Sequence, residues 1–253
     1  MIIDTETKRK MRDMGYVDLL ESLESQDDSA FMSASFEDRM RVAVDNAHQL
    51  FTDGKIKRLI KRARLRYDYA DIRSVDLAEE RKLDRVALMQ LATCTFVKTS
   101  ANVVIEGFTG SGKSFLGCAL VKEACRNRMR GYYVRVPDLH VDWETERQKP
   151  QGETRLLKKL STFDCLCIDE WLLDPPEPNF RSFLFELLER RYESTATIFC
   201  TQFKQADWHH RLGGGVHADA IMDRVVHGAV WFNSGEVNMR KRLTKEKAAE
   251  ESN

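Results

Sequence analysis

The sequence predicts an α/β fold: a parallel sheet covered by helices, preceded by a small all-helical segment. Three observations carry this. Residues 107–114 read G-x-x-x-x-G-K-S, a phosphate-binding loop, between a β-branched run and a helix-opening run. From about residue 100, short apolar runs alternate with amphipathic helical stretches, as in sheets built from strand–helix–strand units. Before residue 75 the pattern is helical and lacks strand signals.

The bulk properties fit. A chain of 253 residues holds one large domain, or one domain and a small accessory one. Hydrophobic residues make up 42%, enough for a buried core. Lys+Arg 40 balances Asp+Glu 40, so any polyanion site must come from local clustering. The N-terminus carries no signal-peptide pattern and no apolar run is long enough to span a membrane, so a cytoplasmic protein is expected. Cys94, Cys118, Cys125, Cys165, Cys167 and Cys200 form no C-x-x-C pair and read as small core residues in a reducing compartment.

The helical segment is expected to span residues 1–75. Tyr16, Leu19, Leu20 and Leu23 form one stripe, and a polar loop follows at residues 25–29. Ser35 and Asp38 read as a capping pair opening a helix whose apolar face holds Phe36, Met40, Ala43, Val44, Ala47 and Phe51. A further helix carries Lys55, Lys57, Arg58, Lys61, Arg62, Arg64 and Arg66 around a narrow apolar stripe. Seven cations over so short a stretch suit either a solvated face or contacts to DNA phosphates.

Strands are expected at Val103–Glu106, 132–136, Cys165–Asp169, 197–201 and 229–232. After the first comes the phosphate loop. Gly107, Gly110 and Gly112 allow close approach of backbone to phosphate. Thr109, Ser111 and Phe115 complete its surroundings, and successive N–H groups with the helix dipole favour an anion. Lys113 would reach the β- and γ-phosphates of ATP, and Ser114 would offer its hydroxyl to Mg²⁺. The third strand ends in two carboxylates: Asp169 as the magnesium partner, Glu170 as the base that orients water. Thr201 and Gln202, ending the fourth strand, are alternative sensors of the γ-phosphate. Arg224 and Arg240 can stabilise charge on the transferring phosphoryl group, and Arg190 with Arg191 form a further candidate pair.

These pieces in this order resemble the IstB family, ATPase helpers of insertion-sequence transposition, and more distantly the DnaC-type helicase loaders. The carrying segments are Met11-Arg12-Asp13-Met14, the basic helix, residues 107–114, Ile168-Asp169-Glu170, residues 184–192 ending Arg190-Arg191-Tyr192, Trp208, Asp223-Arg224-Val225-Val226-His227 and Asn238-Met239-Arg240. They cover roughly residues 8 to 243. The resemblance implies an AAA+ P-loop NTPase core without a separate helical lid, over residues 76–245, with a disordered tail at 246–253. It implies Arg224 as an arginine finger acting on a neighbouring subunit's ATP, and Arg240 as a second sensor. It implies homo-oligomers assembled through ATP sites, DNA bound largely without sequence preference and most readily as duplex, and a cognate transposase as partner. Two departures stand out. The Gly-Tyr pair usual after Asp-Glu is replaced by Trp171-Leu172 and a proline-rich loop, readable as a partner contact, and the usual sensor Asn is replaced by Thr201-Gln202.

The leading expectation is a DNA-binding ATPase that assists a transposase. A loader of a replicative helicase is the alternative. A small-molecule kinase would need an arginine-rich lid that the sequence lacks. An ATP-gated scaffold with negligible turnover stays open. Residues 142–153, with Trp143, Arg147 and Lys149, are read as a loop able to project toward DNA.

Overall fold

The structure is a computed structural model that describes residues 3–26, 34–242 and 244. Most of the expected polar loop at 25–29 and the expected tail at 246–253 lie outside the described residues. The chain divides into two compact units, Met1–Arg58 and Leu59–Asn253. The larger unit takes in residues 59–75, which the sequence pattern groups with the helical segment.

In the first unit, α1 (Thr5–Asp13) opens on Asp4, whose carboxylate accepts from the N–H groups of Glu6 and Thr7. α2 (Val17–Glu24) buries Leu20 and Leu23, but Tyr16 is exposed. α3 (Phe36–Arg62) is one helix where two were expected. Ser35 caps it as anticipated: its Oγ accepts from Asp38 N at 3.1 Å and donates to the Asp38 carboxylate at 2.7 Å. Gly54 does not break it, and Arg58 Nε donates to the Gly54 carbonyl at 3.2 Å. Of the expected apolar face only Ala43 is buried, while Phe36, Val44 and Phe51 are exposed.

Past two 3-10 turns at Ile72–Ser74 and Glu79–Arg81, the second unit runs α4 (Arg85–Ala92), α5 (Thr95–Lys98), β1 (Val103–Glu106), α6 (Lys113–Arg126) and β2 (Gly131–Arg135). It continues through α7 (Val136–Arg147), α8 (Gly152–Ser161), β3 (Cys165–Asp169), α9 (Pro178–Arg191), β4 (Ala196–Thr201), α10 (Gln205–Arg211), α11 (Gly215–Val226) and β5 (Val230–Asn233). All five expected strands are present, each within one residue of its expected ends. They form one parallel sheet in the order β2-β3-β4-β1-β5.

Period-2 alternation gives the sheet two buried faces. Val103, Ile105, Cys165, Cys167, Ile198 and Cys200 pack with α6. Val104, Leu166, Ile168 and Phe199 pack with the aromatic core of α7 and α9. The cysteines have a steric reason. A Cβ at Gly117 of α6 would lie 2.9 Å from both Cys167 Sγ and Cys200 Sγ, so the helix sits closely on β3 and β4, where only small side chains fit. All six cysteines are buried and free. Residues 142–153 are not a projecting loop. They belong to α7, a short turn and α8, with Trp143 in the core and its indole N–H donating to Glu153 at 3.0 Å.

Candidate nucleotide site

Sheet order positions the site. β1 lies between β4 and β5, and its register pairs Glu106 with Thr201 and Asn233. The phosphate loop therefore leaves the sheet at the carboxyl ends of three adjacent strands, where open α/β sheets bind ligands. The loop's shape is held from β5. Ser234 Oγ donates to the Glu106 carbonyl at 3.0 Å and lies 2.5 Å from Ser111 Oγ. A Cβ on Gly107 would come within 2.2 Å of Ser234 Oγ, so this brace requires glycine there.

A cavity of about 850 Å³ opens above the loop. It gathers Thr109, Gly110, Gly112, Lys113, Ser114 and Phe115 with Asp169, Glu170, Gln202 and Arg240. Lys113 Nζ donates to the carbonyls of Gly107 (2.7 Å) and Phe108 (2.9 Å), and burial lowers its pKa. Asp169 is almost fully buried at the end of β3. Its Oδ2 accepts from the Tyr133 hydroxyl at 2.5 Å and its Oδ1 from the Glu170 backbone N–H at 2.8 Å. Glu170 stands at φ +60° in the left-handed region. Its Oε1 accepts from Arg66 at 3.3 Å and lies 3.8 Å from Arg135 Nη1.

Of the two expected sensors, Gln202 meets the loop with its side chain, whose Oε1 accepts from Thr109 Oγ1 at 2.8 Å, whereas Thr201 meets it only through its carbonyl, which accepts from Gly107 N at 3.2 Å. Thr201 does not line the cavity. Its buried hydroxyl donates to the Trp171 carbonyl at 3.0 Å and accepts from Phe203 N at 3.1 Å, closing the turn after β4. Gly107 and Ser111 also do not line it; they shape the loop from beneath.

The arginines separate cleanly. Arg240 lines the cavity. Arg224 on α11 does not, and pairs with Glu189 at 2.6 Å and Asp223 at 3.2 Å. Arg190 is in a surface pair with Glu186. The candidate pair Arg190–Arg191 is corrected outright at its second member. Arg191 is buried, donating to Thr197 Oγ1 and to the carbonyls of Leu160, Phe163 and Ala196, where it ties α8 to β4. Burial pulls its pKa down to about 10. The proline-rich loop begins inward, with Trp171 and Leu172 buried and the Leu172 carbonyl accepting from Arg211 at 2.6 Å. Lys55, Lys57, Arg58, Lys61 and Arg62 are exposed on α3, and Arg64 and Arg66 are exposed just past its end.

Sequence reasoning missed five contributors. Tyr133 was visible only as a strand residue. Arg135 ends β2 and pairs in register with Asp169, so the rule that ligands meet strand carboxyl ends would have flagged it once the sheet order was known. Arg81 gave no signal, yet it is buried and donates to the carbonyls of Asp76 (2.7 Å), Ser111 (3.0 Å) and Ser234 (3.1 Å). Tyr67 and Tyr69 join Phe115 in an aromatic group with ring centroids 5.8–6.5 Å apart along the cavity.

The residues present suit ATP and magnesium. The loop offers a backbone cradle, and Lys113 is a cation beside it. Ser114 and Asp169 are hard oxygen donors lining the same cavity. Each Asp169 oxygen takes one hydrogen bond and keeps acceptor capacity.

Compared with known families, residues 7–248 match the IstB-like ATP binding protein family. An insertion-sequence ATP-binding protein of Sinorhizobium fredii is 37% identical over 194 residues, covering 76% of this chain and 78% of that protein. The IS1162 ATP-binding protein of Pseudomonas fluorescens is 31% identical over 170 residues, covering 67% and 73%. Among solved structures, DnaI matches with TM-score 0.54 and 22% identity over 67% of this chain and 90% of that one. DnaA bound to AMPPCP and single-stranded DNA matches with TM-score 0.55 and 18% identity over 72% and 55%. The core is an AAA+ P-loop NTPase fold. No described helix is long and apolar enough to cross a membrane.

Proposed function

The chain belongs to the IstB-like ATP-binding protein family, and on that premise we propose that it is a Mg²⁺-dependent ATPase that assembles on DNA and assists a transposase. The observation that carries the reading is one cavity holding the phosphate loop, Asp169, Glu170 and Arg240.

In this reading Lys113 leaves the Gly107 and Phe108 carbonyls for the β- and γ-phosphate oxygens. Ser114 and Asp169 would hold Mg²⁺, which would supply neutralising charge to the phosphates. Glu170 orients the attacking water and accepts its proton. Gln202, hydrogen-bonded to Thr109, reports the γ-phosphate, and Arg240, which lines the same cavity, contacts it too. The aromatic group of Tyr67, Tyr69 and Phe115 takes the base. Arg224 stands outside its own chain's cavity, which supports a finger that completes a neighbour's site. It would exchange Glu189 for the γ-phosphate. The exposed cations of residues 55–66 follow the DNA backbone.

The test is binding of mixed-sequence duplex and single strands with ATP, without nucleotide and with a non-hydrolysable analogue, over a salt series. ATP-dependent assembly on duplex, weakening steeply with salt, is the expected result. A preference for single strands would favour loading of a helicase instead. Absence of binding would remove the DNA role.

A further inference from the structure

A buried cation, Arg81, is bonded to the phosphate loop. It stands in the 3-10 turn Glu79–Arg81 and is 3% exposed. Its guanidinium donates to main-chain carbonyls of three separate segments: Nη1 to Asp76 at 2.7 Å, Nη2 to Ser111 of the loop at 3.0 Å and to Ser234 after β5 at 3.1 Å. Its own carbonyl accepts from Glu236 N at 3.2 Å, and a Cβ on Gly235 would clash with that oxygen. The segment after β5 therefore closes tightly over Arg81.

Two features matter. First, the charge is not neutralised by pairing. Among the described residues Arg81 is in no ion pair, and its Nε is buried without a hydrogen-bond partner. The acid that acts on it most, Asp76, pairs with Arg242 at 3.1 Å. Arg191 is bonded to carbonyls in much the same way, but Arg81 lines the nucleotide cavity and Arg191 does not. Second, the loop carbonyl that Arg81 holds belongs to the peptide whose N–H is that of Gly112. In a planar trans peptide the two groups point opposite ways, so a guanidinium on the Ser111 carbonyl turns the Gly112 N–H away from itself. Gly112 lines the cavity and is the N-cap of α6, where N–H groups have no acceptor within the helix. A charged donor on the carbonyl also polarises the peptide and strengthens its N–H as a donor.

We infer that Arg81 is a positioning residue for nucleotide binding: it fixes the Ser111–Gly112 peptide so that the Gly112 N–H meets a phosphate oxygen, and the phosphates balance its buried charge. The inference rests on the ATP reading of the loop above.

The experiment measures ATP and ADP affinity of the full chain, by displacement of a fluorescent ADP with Mg²⁺ present, together with kcat and KM of ATP turnover. The samples are the unchanged protein, Arg81→Met, Arg81→Lys and, as a buried-arginine control, Arg191→Lys, each held well below its melting temperature. Arg81→Met should weaken ATP and ADP alike by about tenfold or more, the size of one lost hydrogen bond from a charged group. KM should rise by a similar factor and kcat should fall less, since the bond serves ground state and transition state together. Arg81→Lys keeps the charge but not the planar fork and should lie between. Arg191→Lys should melt earlier with nucleotide affinity unaltered. Should Arg81→Met fail to fold, Arg81→Lys is read alone, and equal weakening of both nucleotides supports the inference. Unaltered affinity in folded Arg81 variants, with only the melting temperature lowered, overturns it. So does weakening of ATP alone, which would make Arg81 a reader of the γ-phosphate. If the unchanged, folded protein binds neither nucleotide, the reading beneath fails and the inference falls with it.

Discussion

The hydroxyl of Tyr133 donates to Oδ2 of Asp169 across 2.5 Å, from one strand of the sheet to its neighbour. Both residues are buried, and burial beside that carboxylate pushes the Tyr133 phenol far above its ordinary pKa. The tyrosine thus stays a donor at any working pH. Tyr133→Phe leaves the carboxylate one partner short in a dry site and should cost about 1–3 kcal/mol of stability. If the bond also sets the metal-facing oxygen, the Mg²⁺ concentration for half-maximal turnover should rise. Thermal melting and a Mg²⁺ titration of ATP turnover check the two effects separately.

The loop and the segment after β5 meet at Gly110. Met239 N donates to the Gly110 carbonyl at 2.9 Å, and a Cβ on Gly110 would fall 2.7–2.8 Å from the Asn238 amide. Gly110 also stands at φ +93°, which side chains rarely adopt. Gly110→Ala should therefore displace the segment carrying Arg240 and weaken ATP binding at least tenfold, measured by displacement of a fluorescent nucleotide. Unaltered affinity would mean that the loop does not hold the phosphates in this geometry.

Two arginines close in sequence pattern should behave oppositely. Arg191→Ala strands three buried acceptors and one partly buried one and should lower stability by on the order of 3 kcal/mol or more. Arg224→Ala breaks only partly exposed pairs and should fold normally. It should bind ATP but lose hydrolysis. Mixing it with Glu170→Gln subunits, once mixed assembly is shown, should restore part of the turnover if the finger acts in trans.

Asp71 predicts an acid response. Its carboxylate accepts from Arg126 of α6 at 2.5 Å, which holds its pKa at about 2 against an ordinary 3.8. A depressed carboxylate contributes stability that is complete above its unfolded pKa and lost as pH falls through the folded one. The window is therefore about pH 4 down to 2. Discounted for partial exposure, the contribution is about 1–2 kcal/mol. Asp71→Asn should melt earlier than the unchanged protein at pH 7 and converge with it near pH 2. Parallel curves at all pH values would remove Asp71 as the cause.

What was legible in the sequence was local. The loop, its flanking strand and helix, and the Asp169–Glu170 pair each sit within a few residues, so spacing alone reveals them. The strands were legible because period-2 runs of buried residues stop at polar ends. What depended on sheet order was hidden. Placing β4 beside β1 sets Gln202 against Thr109 and turns Thr201 inward, a choice that spacing leaves open. Arg191 looked like a candidate finger because burial cannot be read from one charged residue in a helix. Arg66 looked like one of seven interchangeable cations, since its partner lies 104 positions away.

The most direct test of the account is ATP turnover by Glu170→Gln beside the unchanged protein, with nucleotide binding measured in the same samples. The account predicts unaltered ATP binding and turnover reduced by about a hundredfold or more, the range expected for loss of a general base. Turnover at the unchanged rate would contradict it, because the carboxylate that Arg66 holds would then take no part in hydrolysis.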